Sequence, residues 1–130
     1  MNDRPGMQAM TKRVLALGLD PACVDLEGMP QLTPEMIRAY IEAQLERVRQ
    51  LGYAVESCLV DRSPAAESTV ARRLQSHRFD GVVIGAGLRA PAELLLFERL
   101  LNLVHAHAPA ARLCFNSSPA DTAEAVQRWL

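Results

Sequence analysis

Four times along its 130 residues the chain runs through the same succession: an apolar stretch, a short polar one, a proline, then apolar residues at helical spacing. The apolar stretches are Val14 to Leu19, Ala54 to Val60, Gly81 to Leu88 and Leu113 to Phe115. The residues after them lead into Thr33-Pro34-Glu35, Ser63-Pro64, Ala90-Pro91 and Ser118-Pro119. Proline fits the first helical turn, whose N–H has no intrahelical partner and whose φ the ring already holds, and a Ser or Thr just before it caps the exposed amides. Each proline therefore marks a helix start, and the chain reads as (βα)×4. Alternating strands and helices build a parallel sheet, which brings all its strand C-termini to one edge, where such folds bind ligands.

A chain of this length fits one domain. Residues 1–12 mix Gly, Pro, Met and charge without period and are expected as a flexible tail, leaving 13–130 as a single α/β domain. Fourteen basic and fifteen acidic residues give a net charge of -1 with no run of like charge, so neither nucleic acid nor an anionic membrane is an expected partner. No apolar stretch approaches the roughly 20 residues of a membrane span, and the polar start lacks a signal-peptide centre, which points to a cytoplasmic protein. The three cysteines have no metal-type spacing, and Cys58 and Cys114 lie inside apolar runs where they read as small buried hydrophobes.

Helix 1 is expected from Pro34 to Leu51, with Ile37, Tyr40, Ile41, Gln44, Leu45, Val48 and Leu51 on its apolar face and Gly52 as its stop. Helix 2, Pro64 to Ser76, has a narrower stripe of Ala66, Val70 and Leu74; helix 4, Pro119 to Leu130, packs with Ala123, Val126 and Leu130. Strands 1 and 3 are apolar on both faces, as central parallel strands are, whereas strand 2 carries Glu56 and Ser57 and strand 4 carries Arg112. With right-handed crossovers this burial pattern predicts a four-stranded parallel sheet of order 2-1-3-4 in a three-layer αβα, flavodoxin-like (Rossmann-like) arrangement with strand 5 missing. The topological switch point then falls between strands 1 and 3.

Helix 3, Pro91 to His107, is broader: Leu94, Leu96, Phe97, Leu100, Leu101, Leu103 and Val104 span half its circumference. A helix seated on a sheet needs a stripe of roughly 100°. Contact with helix 4 would cover the excess, and so would a homodimer made through helix 3 or the strand 4 edge; a homodimer is our expectation.

The sheet's C-terminal edge collects the candidate ligand-binding residues: Asp20 and Cys23 after strand 1, Gly85, Ala86, Gly87 and Arg89 after strand 3, Asn116 and Ser117 after strand 4. Asp61 and Arg62 follow strand 2. Helix N-termini favour an anionic group, and Arg62 and Arg89 offer it charge-assisted bonds, so a small anionic molecule is the expected ligand. Thr33, Ser63 and Ser118 are accounted for as helix caps. The connection from Pro21 to Leu32 exceeds the roughly 2–6 residues of most βα loops and would fold over the switch point as a lid.

No catalytic set emerges. The chain has no Ser-His-Asp order or paired carboxylates, and His105 and His107, two apart on a helix, diverge too far for a metal pair. Asp20, Asp25, Glu27 and Asp61 lack a magnesium-type spacing. Catalytic residues are left unassigned, and neither a metal nor a cofactor is expected.

Three resemblances bear on this reading. Gly81-Val82-Val83-Ile84-Gly85-Ala86-Gly87-Leu88-Arg89-Ala90 resembles the dinucleotide fingerprint of flavin and nicotinamide enzymes, which implies a bound dinucleotide. The segment departs from it in lying on the third strand unit, in Pro91, and in Asn116 where an acidic ribose partner belongs; close backbone passage at a tight turn explains the glycines without a cofactor. The layout is also similar to bacterial receiver domains. Asp20 and Ser117 match receiver positions, but strand 3 ends in Gly85 where the phosphoaccepting aspartate belongs. Cys23 resembles in position the phosphoacceptor cysteine of sugar-phosphotransferase B domains, although Asp20, Asp25 and Glu27 nearby oppose a thiolate.

Gly18-Leu19-Asp20-Pro21, Asp80 to Gly87 and Cys114 to Leu130 resemble a group of small single-domain α/β proteins, which implies the fold and carries no activity. Three functions stay open: a binding or regulatory module for a small anionic ligand at the switch point, a small enzyme using Asp20 or Cys23 under the 21–32 loop, and an interaction domain acting through helix 3.

Overall fold

Parallel strands joined by right-handed crossovers leave little choice about which face each helix covers. The computed structural model describes residues 11–130. Its elements run β1 (Arg13–Leu19), α1 (Pro34–Gln50), β2 (Ala54–Val60), α2 (Ala65–Ser76), β3 (Gly81–Ile84), α3 (Leu94–His107), β4 (Arg112–Phe115) and α4 (Thr122–Trp129). All pairings are parallel and the order is β2-β1-β3-β4, so the fold is the expected three-layer, flavodoxin-like one.

The step from β1 to β2 leads one way across the sheet and the next two crossovers lead the other. Right-handedness therefore puts α1 on one face and α2 with α3 on the opposite one, and α4 returns to the face of α1. The core divides accordingly. Leu15, Leu17 and Leu19 pack with Val70, Leu74, Leu100 and Val104. On the other face Val14 and Ala16 pack with Leu45, Val48, Ala123 and Val126.

Local signals place most boundaries. Thr33 Oγ1 accepts from the Met36 N–H at 3.1 Å to start α1, and Gly52 at φ 101 ends it in the left-handed region. Ser118 caps a 3-10 turn at Pro119–Asp121 that leads into α4. α2 starts without a side-chain cap, so Ser63 does not serve as one; ahead of the helix, Asp61 accepts from the Ser63 N–H at 2.9 Å in a local turn. The third apolar run also behaves differently from its prediction. β3 stops at Ile84, two 3-10 turns (Ala86–Arg89 and Pro91–Glu93) follow, and α3 begins only at Leu94. Ala90 before Pro91 is extended, as the proline ring requires, which separates the two turns.

Two packing expectations need correction. Tyr40 is about 100° of helix turn from Ile41, at the margin of the α1 stripe, and both it and Leu51 are exposed. α3 does not meet α4, which lies on the other face. Its width is covered instead by α2 and by Phe115, whose ring meets Phe97 edge-on at 6.0 Å. Leu94 and Leu95, at the start of α3, stay 61% and 67% exposed.

On each edge strand, alternate residues turn their backbone groups outward. Of these, the carbonyls of Val55 and Ser57 on β2 accept from Arg49 and Arg73 at 3.3 and 2.8 Å, and that of Phe115 on β4 accepts from Arg128 at 2.7 Å. Among the described residues, no helix is long and apolar enough to cross a membrane. The expected tail lies outside the described residues except for Thr11 and Lys12. Lys12 already belongs to the fold, its carbonyl accepting from the Ala54 N–H at 2.9 Å and its ammonium donating to the Leu130 carbonyl at 2.9 Å.

Candidate functional site

Side chains alternate across a strand, so β1 presents Leu15, Leu17 and Leu19 to one face and Val14, Ala16 and Gly18 to the other. On the α1 face the side-chain volume therefore shrinks toward the C-terminal edge. The chain leaving β3 is equally slight there, as Gly85-Ala86-Gly87. Above them α1 seats Leu45 and Val48 at 2% and 0% exposure, while Ile41 and Ile37, one and two turns before Leu45, are only half-buried.

Small residues below and a helix held at normal distance above leave a cavity of about 210 Å³ at the β1/β3 switch point. Pro21 and Val24 close one side, Ser57 and Leu59 of β2 another, and Asn116, Pro119 and Thr122 the third. For scale, an apolar cavity of about 150 Å³ holds benzene. The loop expected as a lid thus supplies a wall, through Pro21 and Val24.

Gly85 explains itself by proximity. Its φ is -66, an ordinary value, but a Cβ there would stand 3.3 Å from the Leu17 carbonyl oxygen, to which the Gly85 N–H donates at 2.9 Å. This is the tight passage considered above. The dinucleotide fingerprint needs its glycine turn to open straight into a helix so that the pyrophosphate meets the helix amides. Here the two 3-10 turns intervene, and the fingerprint's phosphate cradle is not formed.

Two buried polar side chains knit the site together. Asn116 and Thr122 are 6% and 4% exposed. Asn116 Oδ1 accepts from the Ala86 N–H at 2.9 Å, its Nδ2 donates to Thr122 Oγ1 at 3.0 Å, and the Thr122 hydroxyl donates to the Pro119 carbonyl at 2.8 Å. Each donor in this relay has an acceptor, so its sense is determined. It ties the turn after β3 to the end of β4 and to the start of α4.

The charged residues of the edge are committed to the protein itself. Arg89 donates to the Ile84 carbonyl at 2.6 Å and to that of Asn116, and its guanidinium lies 4.7 Å over the Phe115 ring. Burial pulls its pKa below the ordinary arginine value. Arg62 grips Glu93 at 3.0 and 2.7 Å and also donates to the Cys23 carbonyl. Glu93 is 5% exposed, and the Arg62 hydrogen bonds hold its carboxyl below the usual carboxylate range. Asp20 accepts from the Ala22 N–H and from Arg38, and both contacts lower its pKa. Ser117 Oγ donates to Asp121 at 2.7 Å, the bond that most strongly lowers the pKa of Asp121.

Of the predicted ligand residues, then, Gly85, Ala86, Gly87 and Asn116 line the cavity, and Asp20, Cys23, Arg89 and Ser117 do not. Cys23 packs against the core on the α2/α3 side, away from the cavity. Asp20, Asp25 and Asp61 each cap a local backbone N–H, and among the described residues no three His, Cys, Asp or Glu side chains gather as a metal site. Burial raises the thiol pKa of Cys58, and that of Cys114 to about 11.

Sequence reasoning missed Ala16, Gly18, Ile37 and Ile41. The signal was there in β1, where every residue of one face is large and those of the other taper to glycine. Compared with protein-family models, with curated proteins and with solved structures, the chain matches none of them.

Proposed function

We propose that this protein is a binding or regulatory module that holds a small molecule at the β1/β3 switch point and performs no chemistry on it. The observation that carries this reading is the cavity. The recess of about 210 Å³ is partly open to solvent, with Leu17, Leu45 and Val83 buried to 2% at its base and Ile37, Ile41 and Val24 partly exposed around its mouth, and a concave, mostly apolar recess of that kind is what a small-molecule site looks like. It also sits at the ligand edge of its fold class.

The polar groups lining it are a serine, an asparagine and a threonine, and the asparagine and threonine already serve the relay. The enzyme alternative relied on Asp20 or Cys23, and both stand outside the cavity. The three cysteines are all unpaired, which suits a cytoplasmic setting. A second reading, self-association through α3, is favoured by Leu94 and Leu95, the two most exposed large hydrophobic residues described.

The test is a fragment screen read by amide NMR and thermal shift. Binding is expected to move the resonances of Gly18, Gly85, Ala86, Gly87 and Ile41 together and to raise the melting temperature. A diverse set of small neutral and charged fragments that leaves those resonances in place would refute the module.

A further inference from the structure

Resting on that reading, we infer that the ligand is a neutral, largely apolar molecule of about the bulk of a substituted six-membered ring, and not an anion. The walls that would touch it are the aliphatic side chains of Leu45, Ile37, Ile41, Val24 and Leu59, over a floor of Ala16 and glycines. No charged side chain lines the cavity. An anion seated there would leave water without a counter-charge, a transfer that costs several kcal/mol or more.

Each of the nearby arginines already has a partner that it would give up by turning to the cavity. Arg89 would abandon the carbonyls that end β3 and β4, Arg62 would leave the buried Glu93 carboxylate alone, and Arg38 would release Asp20. What the cavity offers to a polar group is modest. Ser57 contributes a hydroxyl, and Asn116 retains one Nδ2 hydrogen and one Oδ1 lone pair beyond the relay. One hydroxyl or carbonyl on an apolar ring fits that provision, and the volume exceeds that of the roughly 150 Å³ cavity that binds benzene.

The experiment titrates matched probes against the intact chain by amide NMR: benzyl alcohol and cyclohexanol against benzoate and phenyl phosphate. The neutral probes should bind at least about tenfold more tightly than the anions, which must shed their hydration to enter. Ala16→Val, which fills the floor, and Ile41→Trp, which fills the cavity from the half-exposed helix and so spares the sheet, should each abolish that binding. Tighter binding of the anions, with the same resonances moving, would overturn the inference and leave the module standing. Silence from all four probes while unrelated fragments bind the cavity would also overturn the inference alone; silence from every fragment defeats the module with it.

A separate observation carries a second proposal: three arginines occupy outward carbonyls on both edges of the sheet and hinder strand addition there. A parallel sheet with open edges offers outward carbonyls to any extended chain. Here Arg49 and Arg73 occupy those of Val55 and Ser57 on β2, and Arg128 occupies that of Phe115 on β4. The strand 4 leg of the expected homodimer is thereby obstructed, while the α3 surface is untouched. Arg128→Ala and, on the opposite edge, Arg49→Ala should raise the weight-average mass in sedimentation at concentrations where the parent chain shows no such rise. Arg128→Lys, which keeps a donor, should stay near the parent. Unchanged sedimentation of both alanine variants, with native circular dichroism, would overturn the proposal.

Discussion

Asn116→Ala removes the centre of the relay, and the structure sets the size of the loss. Two hydrogen bonds disappear, from the Ala86 N–H at 2.9 Å and to Thr122 Oγ1 at 3.0 Å, each contributing about 1 kcal/mol net. The larger penalty, that of an orphaned buried donor, is avoided on both sides. Ala86 is only partly buried and borders the cavity, so water reaches its N–H, and the Thr122 hydroxyl keeps its bond to Pro119. The expected destabilisation is therefore about 2 kcal/mol, not the 4 or so that two stranded groups would add.

Urea unfolding followed by circular dichroism reads this as a midpoint lower by about 1 M, with a slope typical of small domains. Thr122→Val leaves the buried Asn116 amide short of an acceptor, and the double variant should fall short of the sum by about 1 kcal/mol, because both changes break the same bond. A loss below about 0.5 kcal/mol for Asn116→Ala, or strict additivity in the double variant, would refute the relay.

Gly85→Ala should cost about 1–2 kcal/mol, since its Cβ would press a strand carbonyl at 3.3 Å, whereas Gly87→Ala, whose Cβ would stand 3.5 Å from the Leu19 Cβ, should stay within about 0.5 kcal/mol. Equal effects in thermal unfolding would dismiss the close-passage account of Gly85. In native protein a thiol reagent should label Cys23 ahead of Cys58 and Cys114, which are 3% and 0% exposed and whose pKa values burial raises. Rapid native modification of all three, seen by mass spectrometry, would contradict the packing. Acid should weaken the fold. Asp20, Asp61, Glu93 and Asp121 are depressed in the folded state, so their contribution is complete above the unfolded carboxyl values of about 4 and disappears as pH falls through the lower folded ones. A urea midpoint that held steady or rose from pH 5 to pH 2.5 would refute this.

The order of elements and the sheet order were legible because they follow from local rules: proline and Thr33 at a helix start, Gly52 at a helix stop, and the handedness that one chirality imposes on every crossover. The face of helix 4 was not, since contact between helices 3 and 4 stood among the expectations. The edge arginines were not legible as what they are. Arg62 and Arg89 after strand ends read equally well as hands for an anion and as clamps on carbonyls, because the choice depends on whether a carbonyl or carboxylate from a distant segment arrives within 3 Å. Glu93 and Asn116 arrive from 31 and 27 residues away.

The cavity belongs to both levels. The taper from Val14 through Ala16 to Gly18 is written in β1, and by itself it means only small residues. It becomes empty volume when Leu45 and Val48 anchor α1 at packing distance and hold Ile37 and Ile41 over a floor too shallow to meet them. A chain specifies the sizes of its side chains locally, and only the docking of one element on another decides where those sizes fail to fill space.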